Sequence, residues 1–361
     1  MANFDLSNLA LQAVCPGNEI LYDDKGMPSI MVKIPKMTYA QLGLGSSTAV
    51  HPAFIINGSE VPHIYISKYQ NIVKNGRAYS LPGQDPANSL NFETAMGYCT
   101  AKGSGWHLMT RAEWALIALW CKANATLPYG NNDYGKDSRE TVYKALPTLI
   151  DSGTGKINRV ATGTGPLTWS HDRTPSGIWD LNGNVSEWVG GVRLYNGELQ
   201  VLVNNNAADP AKSQLVGSSE WRAIDGTTAE FVGPNGSGTT INSLKLDYVS
   251  NAWKWITGAI SSSSDSSRSC LFESITADVD VVDASKLLLQ ALGFLRYDET
   301  GGAYEGDYLY ANNVGERLFY CGGTWNSGAS AGVFCAHGGN SRADAGATLG
   351  FRSAFVTLPP A

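Results

Sequence analysis

The chain has 361 residues, a formal net charge of −6, and 16% charged residues against 43% hydrophobic ones. This balance is typical of a globular protein and excludes a disordered one. The sequence contains no cluster of Lys and Arg, which excludes sequence-independent binding of nucleic acid. No apolar run is long enough to cross a bilayer, so no membrane insertion is expected.

The N-terminus and the cysteines bear on the cellular compartment. The first residues show no basic segment followed by an apolar run, so we expect no signal peptide. The cysteines are scattered without Cys-x-x-Cys spacing, which argues against a disulfide framework and against a zinc site. Residues 1–30 carry little periodicity, and we predict that they form an N-terminal arm.

Strands and then two helices are predicted in the next part of the chain. Strand-like alternation runs through "IMVKIPKMTYAQL", "AFIING" and "HIYISKYQNIV". The first helix lies in "SLNFETAMGYCTAKG", where Ser89 or Asn91 is the expected cap. The second lies in "TRAEWALIALWCKANA", where Thr110 and Glu113 have capping-box spacing.

A change in character marks residues 194–315 as a long insertion. Strand-like pieces such as "GELQVLVNN" alternate there with a Ser-rich tract and a helix-like "DASKLLLQALGFL". The run "DVDVVD", from Asp278 to Asp283, has acidic residues that could suggest calcium. Its period of two favours a strand with one solvated face. We predict that the insertion interrupts a single domain that spans 31–356.

Three sequence blocks occur in a fixed order: "GWHLMTRAEWALIAL", "PSGIWDLNGNVSEWVGG" and "YCGGTWN…LGFRSAF". Together they resemble the blocks of the formylglycine-generating-enzyme family, over about 31–193 and 316–356. The resemblance implies an α+β fold of the C-type-lectin-like type. This fold is rich in loops and has small twisted antiparallel sheets and two main helices. Trp114 and Trp188 are expected to be its buried anchors.

The same resemblance bears on enzymatic activity and metals. The family's enzyme oxidises a substrate cysteine with copper, which is held by two cysteines that follow a Gly-Gly block. The matching positions here are Ser327 and Gly332, and neither side chain ligates copper. We therefore expect no enzyme, no catalytic residue and no cofactor. Family members often hold calcium, and Asn184 and Glu187 are the residues that the resemblance offers for it.

The fold is also used by the variable proteins of diversity-generating retroelements, which bind ligands, and the chain resembles these proteins too. In them a C-terminal segment is rewritten at adenines, so that Asn codons of the type AAC become any codon ending in C. Such codons cannot encode Lys, Gln, Glu, Met or Trp. Between Phe319 and Thr348 none of these residues occurs except Trp325, which resembles a scaffold position.

This resemblance divides the segment into a fixed frame and hypervariable contents. The predicted frame consists of Gly322, Gly323, Trp325, Gly328, Ala331, Gly332, Val333, Phe334, Arg342, Gly350, Phe351 and Arg352. The hypervariable ligand-binding segment is predicted at 320–348. Its expected contact residues are Tyr320, Cys321, Thr324, Asn326, Ser327, Ser330, Cys335, His337, Gly339, Asn340, Ser341, Asp344, Gly346, Ala347 and Thr348.

The sequence therefore predicts a non-catalytic receptor-binding protein of a phage tail tip or a bacterial cell surface. Its expected partner is a protein or a glycan on a cell surface, and a homo-oligomeric state is left open. One alternative is a formylglycine-generating, sulfatase-modifying oxidase homologue. A second is a calcium-dependent sugar binder of fixed specificity.

Overall fold

The computed structural model describes residues 5–360. Over this part of the chain the α-helices are α1 (Leu6–Val14), α2 (Phe92–Thr100), α3 (Arg111–Ala123) and α4 (Asp283–Ala291). The strands are β1 (Asn18–Tyr22), β2 (Pro28–Pro35), β3 (Ile55–Ile56), β4 (Ser59–Glu60), β5 (His63–Ser67), β6 (Ile72–Lys74), β7 (Arg77–Tyr79), β8 (Trp106–Leu108), β9 (Pro147–Ile150), β10 (Ile157–Val160), β11 (Ser186–Tyr195), β12 (Glu198–Leu202), β13 (Trp221–Ile224), β14 (Phe231–Val232), β15 (Lys245–Val249), β16 (Ala252–Ile256), β17 (Arg268–Leu271), β18 (Thr276–Ala277), β19 (Tyr308–Ala311), β20 (Glu316–Cys321), β21 (Ala336–Asn340), β22 (Leu349–Phe351) and β23 (Ser353–Phe355).

A five-stranded sheet in the order β1-β2-β5-β23-β8 brings the two ends of the chain together. Strand β23 pairs with β5 on one side and with β8 on the other. Strand β1 belongs to this sheet, although it lies in the predicted arm 1–30. Helix α1, which the sequence analysis did not predict, precedes it and is capped by the Asp5 carboxylate, which accepts from Asn8 N at 3.0 Å. Residues 1–4 lie outside the described residues.

A twelve-stranded sheet forms the larger layer, and β11 lies at its centre. Strand β11 pairs antiparallel with β12 and β20 and parallel with β22. The segment 194–315 extends this same sheet, because its strand β19 pairs with β21 and its strand β12 pairs with β11. Strand β21 therefore lies between β20 and β19, with the insertion as its neighbour on one side.

The two predicted helices form with the expected caps. Asn91 Oδ1 accepts from Thr94 N at 2.9 Å at the start of α2. At the start of α3 the capping box of Thr110 and Glu113 is complete. The indole N–H of Trp114 in α3 donates to Val333 O at 2.7 Å, which ties this helix to the C-terminal segment. No helix within residues 5–360 has the length and apolar character that a membrane crossing requires.

The run "DVDVVD" is not a strand, so that prediction is wrong. Strand β18 ends at Ala277, Asp278 N bonds to Trp255 O, and the chain then turns. Val279 is 89% exposed whereas Val281 is buried, so the valines do not share a face. Asp283 begins α4, where a carboxylate in the first turn interacts favourably with the helix dipole.

A buried ion pair joins the two main sheets. Arg352 lies between β22 of the larger sheet and β23 of the smaller one. Its guanidinium donates to both carboxylate oxygens of Glu187, with N···O distances of 2.9 and 2.8 Å. It also donates to the carbonyl oxygens of Ser67 and Trp179, each at 2.8 Å. Because both charged side chains are at most 1% exposed, this bidentate geometry is what compensates their desolvation.

Candidate ligand-binding site

The segment 320–348 begins where β20 ends, and two glycines set its path. Gly322 and Gly323 have φ of 91° and 74°, in the left-handed region that favours glycine. A Cβ on Gly323 would lie 2.5 Å from Ala331 Cβ, and one on Gly322 would lie 2.8 Å from Leu181 O. The close approach of the backbone to these neighbours therefore requires glycine at both positions.

Trp325 is held in place by backbone hydrogen bonds to two other loops. Its N–H donates to Asn184 O at 3.2 Å, and its carbonyl accepts from Tyr134 N at 2.8 Å. The side chain is 7% exposed. The predicted frame is otherwise buried as well, with Gly328 and Arg342 half-buried. The frame residues thus occupy the positions that a scaffold requires.

Asp307 supports the turn that precedes β21. Its carboxylate accepts from Phe334 N at 2.7 Å, and a Cβ on Gly332 would lie 2.0 Å from this carboxylate. Burial raises the pKa of Asp307 well above its usual range. Since Asp307 belongs to the insertion, this part of the C-terminal segment is positioned by a residue from outside it.

A concave pocket of about 300 Å³ opens beside the frame. Seven residues predicted as variable contacts line it: Tyr320, Thr324, Asn326, Ser327, Ser330, Cys335 and His337. Gly323, Ser186 and Tyr310 complete the lining. The lining contains no Asp, Glu, Lys or Arg, so the pocket is polar but carries no formal charge at neutral pH.

Three stacked rings form one wall of the pocket. The ring centroids of Tyr320 and His337 are 4.6 Å apart, those of Tyr310 and His337 are 5.4 Å apart, and both interplanar angles are 13°. His337 lies directly opposite Tyr320 in the β20–β21 pair and opposite Tyr310 in the β19–β21 pair. This register explains the stacking, since directly opposed side chains lie on one face of the sheet. Burial lowers the pKa of His337 to about 4, which keeps its imidazole neutral.

Short polar side chains form a second wall of the pocket and bond to one another. Thr324 N donates to Ser327 Oγ at 3.0 Å, and Thr324 Oγ1 donates to Asn326 Oδ1 at 2.6 Å. Ser330 Oγ donates to Ser327 O at 2.8 Å and accepts from Tyr310 Oη at 3.1 Å. The two walls meet at this last contact. The arrangement offers a ligand several hydroxyl groups and a carboxamide.

The remaining predicted contacts come later in the chain than the lining residues and do not line the pocket. They are half-buried or exposed, and they run from the end of β21 through the loop to β22: Gly339, Asn340, Ser341, Asp344, Gly346, Ala347 and Thr348. Tyr320 Oη donates to Asn340 Oδ1 at 3.4 Å, and Thr348 O accepts from Ser186 N at 2.8 Å. The loop therefore borders the pocket on the side of Tyr320 and Ser186.

The structure corrects the assignment of Cys321 as a ligand contact. Cys321 lies opposite Ala336 in the β20–β21 pair, and both belong to the main hydrophobic core. Its thiol is 1% exposed and accepts from Arg111 Nη1 at 2.9 Å. Cys335 and His337, which flank Ala336, line the pocket on the other side of the sheet. The two cysteines thus face opposite sides of the sheet, which spacing alone did not reveal.

The residues that the family resemblance offered for calcium bind other side chains. Asn184 Oδ1 accepts from Asn131 Nδ2 at 3.2 Å and from Val160 N at 3.0 Å. The carboxylate of Glu187 accepts from Arg352 and Gln70. In this arrangement the side-chain oxygens of Asn184 and Glu187 are therefore engaged in hydrogen bonds. Among residues 5–360, no group of three or more His, Cys, Asp and Glu side chains has the geometry to hold a metal ion.

Two lining residues, Ser186 and Tyr310, were missed by the sequence analysis because both lie outside 320–348. A local pattern could have indicated Tyr310, since the alternation in "YLYA" is typical of a strand with its tyrosines on one face. Ser186 lies in the "NGNVSEW" block, but no local pattern shows which way a serine at the start of a strand will point.

The fold and the pocket together define a loop-rich α+β domain with a concave pocket built mainly by its C-terminal segment. Residues 53–233 match the family model described as a sulfatase-modifying factor enzyme 1-like domain, so the chain belongs to that family. The predicted α+β, C-type-lectin-like fold of the formylglycine-generating-enzyme type is thereby confirmed. A search of the curated proteins finds no match.

Three solved structures are similar over 94% of this chain. PvdO from Pseudomonas aeruginosa is 14% identical, with 98% of its chain covered and a TM-score of 0.35. Treponema denticola variable protein 1 is 11% identical, with 99% of its chain covered and a TM-score of 0.32. The Major Tropism Determinant P3c variant is 11% identical, with 71% of its chain covered and a TM-score of 0.29.

Proposed function

We propose that this chain is a non-catalytic ligand-binding protein whose pocket and bordering loop form a hypervariable surface, diversified by a retroelement. One observation carries the proposal. Seven side chains, which the resemblance predicts as variable within a single segment, meet in one pocket of about 300 Å³. Pockets of about this size and larger, with a few convergent polar groups, are the usual form of a ligand site.

The separation of roles within the segment supports the same function. The frame is buried and is held by Asn184, Asp307 and Trp114, all of which lie outside the segment. The pocket hydroxyls mostly bond to one another within the segment. Exchange of these side chains therefore leaves the contacts of the frame intact, as a surface that is repeatedly rewritten requires.

The oxidase alternative lacks its metal ligands. Ser327 and Gly332 occupy the positions of the family's copper-binding cysteines. Cys321 and Cys335 cannot replace them as a pair, because one faces the core and the other faces the pocket. We expect no conversion of cysteine to formylglycine in a sulfatase peptide incubated with the copper-loaded protein. Mass spectrometry of the peptide measures this, and turnover would overturn the non-catalytic reading.

The expected partner is a protein or glycan on a cell surface, and the expected location is a phage tail tip or a bacterial surface. For the third alternative, the calcium-dependent sugar binder, the oxygens of Asn184 and Glu187 are already engaged. We therefore expect ligand binding to persist in a chelator. Loss of binding on chelation, with recovery on added calcium, would favour that alternative instead. A homo-oligomer is possible, and analytical ultracentrifugation would measure the oligomeric state.

The decisive experiment on diversification reads the surrounding DNA. We expect a near-copy of the codons for 320–348, with AAC at the variable positions, beside a reverse-transcriptase gene. The absence of such a copy from the genome that encodes this chain would contradict retroelement diversification.

The decisive experiment on binding uses single substitutions. Thr324→Ala, Asn326→Ala and Ser330→Ala should each change the free energy of unfolding by about 0.5 kcal/mol or less, as surface sites do. On a receptor found by screening immobilised bacterial surface glycans and proteins, some of them should weaken binding by about 2 kcal/mol or more. Ser59→Ala, at an exposed serine of β4, is the matched control and should change neither quantity. Equal binding by all four variants would contradict the assignment of the site.

A further inference from the structure

Two of the ten residues that line the pocket lie outside the segment expected to vary. Ser186 is the first residue of β11, and Tyr310 lies in β19 of the insertion. Both stay the same when 320–348 is rewritten. The pocket therefore has a constant part, and the chemistry of that part limits what every version of the pocket can bind.

The hydroxyl of Ser186 is without a hydrogen-bond partner among residues 5–360. The residue is 1% exposed, and its backbone N–H is already used by Thr348 O. A buried hydroxyl without a partner costs about 1–3 kcal/mol. A ligand that reached this oxygen would supply the missing hydrogen bond, so the unpaired group points to a function in binding.

Tyr310 is positioned by the insertion and not by the variable segment alone. Strand β19 pairs antiparallel with β17, where Ser269 lies opposite Tyr310. The ring of Tyr308 stacks on Tyr310 with centroids 5.6 Å apart and an interplanar angle of 27°. The Tyr310 hydroxyl donates to Ser330 Oγ and lies at the junction of the two walls. This hydroxyl remains in place when Ser330 is exchanged for another residue.

The pocket around these two hydroxyls is uncharged. Its lining combines Ser, Thr, Tyr, Asn and a neutral, half-buried imidazole with a thiol and a glycine. An ionised ligand group would lose its hydration there and gain no countercharge, which is costly in a buried site. A hydroxyl or carboxamide can both donate to and accept from such a lining.

We propose that Ser186 and Tyr310 form a constant contact that selects an uncharged hydrogen-bonding group, a hydroxyl or a carboxamide, whatever the variable segment encodes. This inference rests on the proposed function. It extends that function by assigning a fixed specificity to part of a variable site, and by giving the insertion a role in binding.

The test displays libraries randomised at the predicted variable positions of the full chain. Four backgrounds are compared: the natural chain, Tyr310→Phe, Ser186→Ala and the control Tyr195→Phe, a half-buried tyrosine of β11 outside the pocket. Each library is selected on matched probes. These are a neutral oligosaccharide and its uronic-acid counterpart, and a peptide with Asn and the same peptide with Asp.

We expect the natural chain and Tyr195→Phe to yield binders mainly to the neutral member of each pair. Tyr310→Phe and Ser186→Ala should weaken the affinity of individual binders about tenfold, which corresponds to one net hydrogen bond of about 1.4 kcal/mol, and should thereby lower the frequency of binders. Thermal unfolding separates this from misfolding. Ser186→Ala removes an unpaired hydroxyl and should not lower the melting temperature. Tyr310→Phe keeps the ring stack and loses only the hydrogen bond to Ser330, so its melting temperature should fall slightly.

Each other outcome has a defined meaning. Equal frequencies of binders in all four backgrounds, or equal recovery of anionic and neutral probes, would overturn the constant contact and leave the proposed function standing. Failure of every library to yield binders would overturn the proposed function and this inference with it. Enrichment on the oligosaccharide or on the Asn peptide identifies which source supplies the neutral group.

Discussion

The frame and most of the pocket lining come from the same short segment, yet their side chains meet different surroundings. Trp325 is 7% exposed and Phe351 is fully buried. Asn326, the neighbour of Trp325, is exposed, and Thr324 on its other side is half-buried. Adjacent residues thus belong to the core and to the pocket lining in turn.

The difference shows that the frame and the pocket lining use separate sets of contacts. The frame is bonded to Trp114, Asn184 and Asp307, which lie far away in the sequence. The pocket lining is held mainly by local bonds and by ring stacking across strands. Four experiments test this separation, beginning with the largest expected loss.

Glu187→Gln should cost the most, because it leaves the guanidinium of Arg352 buried without a countercharge. Removal of one partner from a buried pair costs about 3–5 kcal/mol. The matched control is Glu60→Gln, in an exposed pair where Glu60 Oε2 lies 2.8 Å from Lys36 Nζ. Its loss should stay below about 1 kcal/mol. Urea unfolding measures both, and equal losses would show that Glu187 does not hold the sheets together.

Trp325→Ala should destabilise the domain by about 3–5 kcal/mol, since it empties a buried site of indole size. Phe351→Ala should be similarly costly for the same reason. Asn326→Ala, one residue away but exposed, should change the free energy of unfolding by about 0.5 kcal/mol or less. Nearly neutral melts for Trp325→Ala and Phe351→Ala would show that the frame was assigned wrongly.

Gly323→Ala, compared with a control glycine, separates the cost of a steric clash from the cost of a left-handed backbone conformation. Gly58 serves as the control because its φ is 77°, close to the 74° of Gly323, and a Cβ there would meet no atom within 4 Å. Both alanines carry a left-handed penalty of roughly 1–2 kcal/mol. Only Gly323→Ala adds the clash with Ala331, worth about 1–3 kcal/mol more. Equal losses of stability in thermal melts would argue against tight packing at the start of the segment.

His337→Gln should change how stability depends on pH. The folded pKa of His337 is lowered to about 4, below the unfolded value of 6.5. The neutral imidazole therefore stabilises the fold fully above pH 6.5, and this contribution is lost as pH falls towards 4. The slope for one proton is about 1.4 kcal/mol per pH unit.

His51 and His171, whose pKa values are also lowered to about 4, remain in both proteins. The difference in slope between the natural chain and His337→Gln thus isolates His337. Urea unfolding at several values between pH 4 and pH 6.5 measures it. Identical slopes would show that the imidazole of His337 is not buried in the ring stack.

Much of the fold could be predicted from local sequence patterns. The caps at Asn91 and Thr110 were predicted because capping depends on residues three positions apart. The three blocks were sufficient to indicate the family. The alternation in "DVDVVD" led to the wrong prediction of a strand. A strand also needs a neighbouring strand to pair with, and the pairing ends at Ala277. Helix α1 was missed although Leu6, Leu9 and Ala13 lie at helical spacing and Asp5 is a capping residue.

The sequence by itself determined where the segment 320–348 lies and how it is composed. It showed a frame of Gly and aromatic residues and, between them, positions with a restricted set of residue types. Only the tertiary structure decided which side chains line the pocket. Strand register placed His337 between Tyr320 and Tyr310, and turned Cys321 to the core and Cys335 to the pocket. The physical reason is that successive residues of a strand face opposite sides. Register therefore fixes the face of every side chain, and register is set by long-range pairing that no local pattern encodes.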